Sequence, residues 1–283
     1  MILSVEDILM HPALGSVVRL QAATLLSIHE ANPRMASIFA TQQRWLMAHV
    51  ALSLYFGRVG ENAADGLVSS VFLDTIHEHG VASRNTAGAF LKELLQYGYV
   101  LPALLGMDRR VRPLRPAELS LQTVAAWLVV HLATLDGLDG GGRREKFLEQ
   151  PQSLARIQPL ISNGLVRSSA VREPAPTFSL FTWLNEGGIV MDWLISGLAE
   201  AAPGSTRIAS AVGSFSELTD RLSLSRTHLQ RKLRAAETLG SLGWTGERGK
   251  SPMWVSPAFL HEYHTAQAVK LAIIDSAFQR CLG

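Results

Sequence analysis

Apolar residues recur at helical spacing through most of this chain. In Ser225–Gly240, SRTHLQRKLRAAETLG, residues Leu229, Leu233 and Ala236 fall at i, i+4 and i+7 and share one face. Thr227, His228, Arg231 and Arg234 project from the other side. Ser225 suits an N-cap, because its hydroxyl accepts a free N–H of the first turn. Phe215, Leu218 and Leu222 line the helix before it, and Leu224 enters the turn between the two. Residues Ser83–Gly98, SRNTAGAFLKELLQYG, open on the same Ser-Arg and close on the same Gly, 142 positions earlier.

The pattern predicts one order of elements, written twice. A short helix or two covers about 4–30 and 144–169, and a long apolar helix covers about 34–58 and 177–200. A short helix (66–79 and 214–222), a tight turn and a second helix (84–97 and 226–239) follow. A Gly/Arg-rich, strand-like segment (99–114 and 242–255) leads to a long helix that starts at a proline (116–136 and 257–279). Proline suits a first helical position, where its missing N–H had no partner.

Short matches keep the same order. Glu6-Asp7-Ile8-Leu9 with Pro12 parallels Glu145-Lys146-Phe147-Leu148 with Pro151 at an offset of 139. Ser37-Ile38-Phe39 parallels Ser179-Leu180-Phe181 at 142, and Pro116-Ala117 parallels Pro257-Ala258 at 141. Each match is weak, but the ordered series indicates a duplicated subunit. Repeat 1 is expected over 1–142 and repeat 2 over 143–283, divided at the glycine run Gly137-Leu-Asp-Gly-Gly-Gly142, which reads as a flexible turn.

Composition narrows the class. Of 283 residues, 47% are hydrophobic, enough for a sizeable core. The longest apolar run, Val124–Leu135, is shorter than the roughly 20 residues a bilayer needs. The N-terminus, MILSVEDILMHP, carries acids where a secretion signal carries bases. A cytoplasmic protein with no membrane partner is expected. The single Cys281 excludes an internal disulfide and a cysteine metal cage. His77-Glu-His79 and His261-Glu-Tyr-His264 lack the i, i+4 histidine spacing of a metalloprotease helix. No phosphate loop, dinucleotide fingerprint or nucleophile elbow is present. The chain is therefore read as a non-enzyme with no cofactor and no metal.

Net charge is only +2, so the distribution of charge matters more than its sum. Of 26 basic residues 21 are arginine, whose planar fork suits phosphates and base edges. Helix, short turn, helix is the helix-turn-helix pattern, and a basic hairpin after it makes a winged helix. The face of Arg226, Thr227, His228, Arg231 and Arg234 meets no acid until Glu237, whereas solvated helix faces usually mix signs. Such a helix fits the DNA major groove, where Arg or His donates to guanine O6 or N7. In repeat 1 the outward face is Arg84, Asn85, Thr86, Ala89 and Lys92, which is less basic. Its hairpin is stronger: Arg109, Arg110, Arg112 and Arg115 lie within seven residues, suited to a narrow minor groove. The repeat 2 hairpin carries only Arg248 and Lys250.

The run SRNTAGAFLKELLQYGYV followed by MDRRVRPLRP resembles the recognition helix and wing of the multiple-antibiotic-resistance regulators, the MarR family. Their wings commonly carry Asp-x-Arg, here Asp108-Arg109-Arg110. The resemblance implies tandem winged helix-turn-helix domains, mainly α with small β-hairpin wings, sharing a helical dimer-like interface. It also implies double-stranded DNA as partner and often relief by a small ligand. Repeat 2 departs from the pattern, with Glu247-Arg248-Gly249-Lys250 in place of Asp-x-Arg. The family normally dimerises from two chains. This chain carries both copies, so a monomeric pseudo-dimer on an asymmetric or imperfectly palindromic site is expected.

Two readings stand for Trp45 with His49 and Trp127 with His131, each pair at i, i+4. The rings fill a helical core with locally bonded histidines, or they receive a small aromatic or apolar effector. For the chain as a whole the alternative is a winged-helix module for protein interaction or ligand sensing that does not bind DNA, since a fold does not fix a function.

Overall fold

The computed structural model of the chain describes residues 2–34, 39, 41–57, 66–103, 113–184, 187–200, 202, 204–221 and 226–283. In chain order these form α1 (Val5–Leu9), α2 (Leu14–Ala31), α3 (Gln42–Phe56), α4 (Ser69–Glu78) and α5 (Arg84–Gln96). Strands β1 (Val100–Pro102) and β2 (Leu114–Pro116) come next, then α6 (Glu118–Asp139), α7 (Arg143–Glu149), α8 (Leu154–Arg167) and α9 (Ser169–Arg172). The chain continues with α10 (Pro176–Thr182), α11 (Gly187–Ser196), β3 (Ile208–Ala209), α12 (Phe215–Arg221) and α13 (Arg226–Thr238). It ends with β4 (Leu242–Trp244), β5 (Met253–Val255) and α14 (Pro257–Leu282). Among the described residues the protein is mainly helical with small antiparallel sheets.

Two compact units are present, and they are not the halves 1–142 and 143–283. One unit comprises Met1–Leu3, Gln43–Ser168 and Ala272–Gly283; the other comprises Ser4–Gln42 and Ser169–Leu271. Helices α1 and α2 thus belong to the unit that holds α12, α13 and the β4–β5 hairpin, and α7 and α8 to the unit that holds α4, α5 and the β1–β2 pair. An apolar face requires burial, and hydrophobic pattern alone does not say against which segment.

In the first unit, α4 and α5 are joined by a tight turn, and Ser83 caps α5 by accepting the Thr86 N–H at 3.2 Å. Phe72, Ile76, Ala87, Phe90, Leu91 and Leu94 form the buried seam of this helix pair. Strands β1 and β2 pair with Val100 opposite Pro116 and Pro102 opposite Leu114, and Leu67 adds a bridge to Leu114. Pro116 therefore ends a strand and does not start the helix. Having no N–H, it donates nothing to the ladder, and Ala117 N continues the pairing to Tyr99 O at 2.9 Å before α6 begins at Glu118.

Helix α6 extends the apolar run in both directions. It is the one helix among the described residues long and apolar enough to cross a membrane by length and composition. Its Leu128, His131, Leu132 and Leu135 are buried in the unit's core. The glycine run after it is a built turn. Gly140 has φ +71 and closes the helix in the left-handed conformation, and the Gly141 N–H donates to Asp139 Oδ1 at 3.0 Å.

In the second unit, β3, β5 and β4 form a sheet in that order, with Ile208 and Leu242 both opposite Val255 on its two sides. Helix α1 opens on a capping box, in which Ser4 Oγ accepts the Asp7 N–H and Asp7 Oδ2 accepts the Ser4 N–H. Val18 and Ala22 of α2 and Val190 and Leu194 of α11 are buried, along the contact between those helices. The single helix expected over 177–200 is interrupted between α10 and α11. The Gly187 N–H donates to Leu184 O at 3.0 Å, and a Cβ at Gly187 would run into the Phe181 carbonyl oxygen.

Candidate nucleic-acid interface

Helix α13 divides as its pattern predicts. Leu229, Leu233 and Ala236 are buried, while Arg226, Thr227, His228, Gln230, Arg231 and Arg234 are exposed. Arg231 and Arg234 have no carboxylate partner among the described residues. The acid nearest the helix end faces the hairpin instead: Glu237 accepts Trp244 Nε1 at 3.0 Å and Arg248 Nε at 3.0 and 3.1 Å. Lys250 Nζ lies 2.6 Å from Glu247 Oε1 on an exposed hairpin tip. The two hairpin cations are thus matched by acids, and the uncompensated charge sits on the helix.

The hairpin is held against the helix pair through glycine. Gly249 has φ +80, a conformation that costs other residues energy, and its carbonyl accepts the Phe215 N–H at 3.0 Å. The Arg226 guanidinium lies over the Phe215 ring, 5.5 Å from its centroid. Leu222, Leu224 and Ser225, the expected turn and cap before α13, lie outside the described residues.

In the first unit, Asn85, Thr86, Ala89 and Lys92 are exposed along α5. Arg84 pairs with Asp74, and Glu93 pairs with Arg44 at 2.7 Å. This face therefore carries less free positive charge than its counterpart. Arg115 is exposed on β2, but Asp108, Arg109, Arg110 and Arg112 lie outside the described residues.

The two Trp/His pairs come together in one cluster of the first unit. Trp45 and Trp127 have centroids 6.1 Å apart, and His49 meets the Trp127 ring edge-on at 5.0 Å. Gln158 of α8 joins them, its Nε2 2.8 Å from His49 Nδ1, while His131 Nδ1 lies 2.7 Å from Trp127 O. His49 and His131 are buried, and the tryptophans are half-buried. The i, i+4 spacing revealed each pair. Nothing local revealed that the pairs meet, or that Gln158 closes the cluster.

Sequence reasoning missed a polar cluster in the second unit. Tyr263 of α14 donates its hydroxyl to Asp192 Oδ1 of α11 at 2.5 Å. Burial pushes the Asp192 carboxyl up to about 6, against the lowering pull of Tyr263 and of the Lys270 charge. Burial also pushes Lys270 down to about 8, and it drives the Tyr263 phenol well above its ordinary range. Close by in sequence, burial with a contribution from His261 lowers His264 to about 4. Tyr263 and His264 lie in the His261-Glu-Tyr-His264 run, which the sequence offers only as a poor metal motif, and nothing local ties that run to Asp192 or Lys270. Among the described residues no group of three or more His, Cys, Asp or Glu is placed to hold a metal ion.

Compared with protein-family models, with curated proteins and with solved structures, the chain finds no match.

Proposed function

We propose that this chain is a DNA-binding transcriptional regulator, built as tandem winged helix-turn-helix domains in one polypeptide. The observation that carries the reading is the exposed face of α13, where Arg226, His228, Arg231 and Arg234 stand clear of the buried Leu229, Leu233 and Ala236. In this reading α13 and α5 are recognition helices and the two hairpins are wings. Arginine contacts to phosphate position the protein, and contacts to base edges choose the sequence. The contrast between a basic α13 and a nearly neutral α5 favours a lopsided site, read by a single-chain pseudo-dimer in the cytoplasm. A small effector seated at Trp45, His49, Trp127 and His131 would bias binding from the first unit.

The test is duplex affinity across a salt series, with sites selected from a random pool. The double variant Arg231→Glu with Arg234→Glu removes binding and leaves the thermal midpoint in place. Unchanged affinity in that variant sinks the assignment of the site.

A second reading has its own support. The α5 face offers Lys92 with uncharged Asn85 and Thr86, and its Arg84 is matched by Asp74. A surface of that kind suits a protein partner. Retention of a partner by a variant that no longer binds duplex DNA would favour this module reading.

A further inference from the structure

A groove of about 350 Å³ opens in the second unit between the start of α12, one side of α13 and the β4–β5 hairpin. Three cations line it: Arg226 from α13, and Arg248 and Lys250 from the hairpin. Lys250 is held by Glu247. Glu237 engages Arg248 at Nε, which leaves the terminal nitrogens of that guanidinium for another acceptor. Arg226 has no carboxylate partner among the described residues. It lies over the Phe215 ring, 5.5 Å from its centroid, and that ring is buried. Trp244 is therefore the aromatic wall left to meet a ligand, half-buried and fixed by the bond from its Nε1 to Glu237. Ser216 and Gln230, both exposed, add side chains that donate and accept hydrogen bonds.

We infer that this groove binds single-stranded nucleic acid, with one unpaired base against Trp244 and its phosphate on Arg226 and Arg248. Grooves for single strands combine cations that follow the backbone with aromatic side chains on which bases stack. Every base has a π-face, so such stacking tolerates sequence. Ser216 and Gln230 suit that tolerance, because each can meet either a donor or an acceptor on a base edge. A duplex keeps its bases paired and stacked. It offers phosphates to the cations and has nothing to place against Trp244. A strand also uses what lies beyond the groove. Arg226 and Arg234 are both exposed on α13 and stand about 12 Å apart along its axis. Such a spread suits a chain of phosphates better than a single one. The inference goes beyond the duplex reading above and does not rest on it. That reading places Arg231 and Arg234 against paired DNA, whereas this site depends on Trp244 and on an unpaired base.

The experiment uses the full chain and the fluorescence anisotropy of end-labelled strands of about ten nucleotides. Oligothymidylate is the probe, oligouridylate tests the sugar, and an abasic strand of equal length keeps the phosphates without the bases. The inference expects the base-bearing strand to bind about tenfold or more tightly than the abasic one, as one good stacking contact provides. Trp244→Leu keeps apolar bulk without a flat ring; it should erase that difference and leave the abasic affinity unchanged. Trp244→Phe should retain most of the difference. Arg226→Gln should weaken both strands alike and make the log–log salt slope shallower by about 0.7. Should Trp244→Leu fold poorly, a strand carrying 5-iodouracil is photo-crosslinked to the wild-type chain, and the adduct is expected at Trp244. Equal affinity for base-bearing and abasic strands, a preference that survives in Trp244→Leu, or adducts found only elsewhere overturns the inference. Thymidylate and uridylate are both single strands, so a base-dependent preference with either upholds it. Duplex affinity is measured separately. Base-dependent binding of single strands without duplex binding upholds the groove and rejects the duplex reading; duplex binding without it does the reverse.

Discussion

Arg143 Nε donates to Asp275 Oδ1 at 2.7 Å, and both side chains are almost wholly buried. The same guanidinium reaches Asp139 through both terminal nitrogens, at 2.6 and 2.8 Å, and the other Asp275 oxygen accepts the Leu3 N–H at 2.7 Å. The buried ion pair thus ties together the glycine turn, the last helix and the N-terminal segment at Leu3 within the first unit. A buried charge is tolerable only with its partners in place.

Removing one partner should therefore cost more than removing both. Arg143→Met alone is expected to destabilise the protein by about 3–5 kcal/mol, because it leaves the buried Asp275 carboxylate without a counter-charge. Adding Asp275→Leu should restore part of that loss. Urea unfolding of the two variants checks it; a double variant no better than the single one overturns the account.

The proposed duplex interface makes a second prediction, on slope rather than on affinity alone. Arg234→Gln should lower the log–log salt slope of duplex binding by about 0.9 if Arg234 neutralises one phosphate. A slope that does not change would assign Arg234 to solvent or to a base edge.

The cluster of Asp192 and Tyr263 should appear in the pH dependence of stability. Folded Asp192 titrates at about 6 against an ordinary 3.8, so the folded protein holds that proton more tightly. Its contribution is full below the lower value and is lost as pH rises through the higher one. His264 acts in the opposite sense. With its pKa lowered from 6.5 to about 4, its contribution is full above the first value and lost as pH falls through the second. The two offset each other in the wild type, so the comparison must be with Asp192→Asn. Between about pH 4 and 6.5 the stability of wild type minus that of Asp192→Asn should fall steadily as pH rises. Chemical denaturation at matched pH measures it, and a flat or rising difference would contradict the assignment.

Gly187 provides a backbone test. The chain turns between α10 and α11 where a Cβ would strike the Phe181 carbonyl oxygen. Gly187→Ala should cost about 1–3 kcal/mol, as overpacking in a closed site does. Gly188→Ala, with open space around its position, should be nearly silent by comparison.

Much of the local structure was legible. Leu229, Leu233 and Ala236 announce the buried side of α13, and Arg231 and Arg234 its exposed side, because a helical period depends on neighbours one turn away. The hairpins were legible as strand-like stretches, though not the third strand Ile208–Ala209, which pairs across more than forty residues with β5. Pro116 misled for a related reason: proline fits both a first helical turn and the end of a strand, and only its partner Val100 decides between them. The Gly187 break was hidden inside a run whose composition reads as one helix.

The sequence by itself determined the order of most helices and hairpins and the segregation of Arg226, Arg231 and Arg234 from the apolar face of their helix. Those properties follow from spacing within a turn or two. Tertiary structure alone decided that residues 4–42 join the unit of the second hairpin, that Trp45 meets Trp127, and that Asp192 accepts the Tyr263 hydroxyl. It also decided that the hairpin cations Arg248 and Lys250 are answered by Glu237 and Glu247. The reason is physical. An apolar stripe requires burial without naming its partner, and a charge requires compensation without naming its source. Both choices are made only when distant segments compete for the same space.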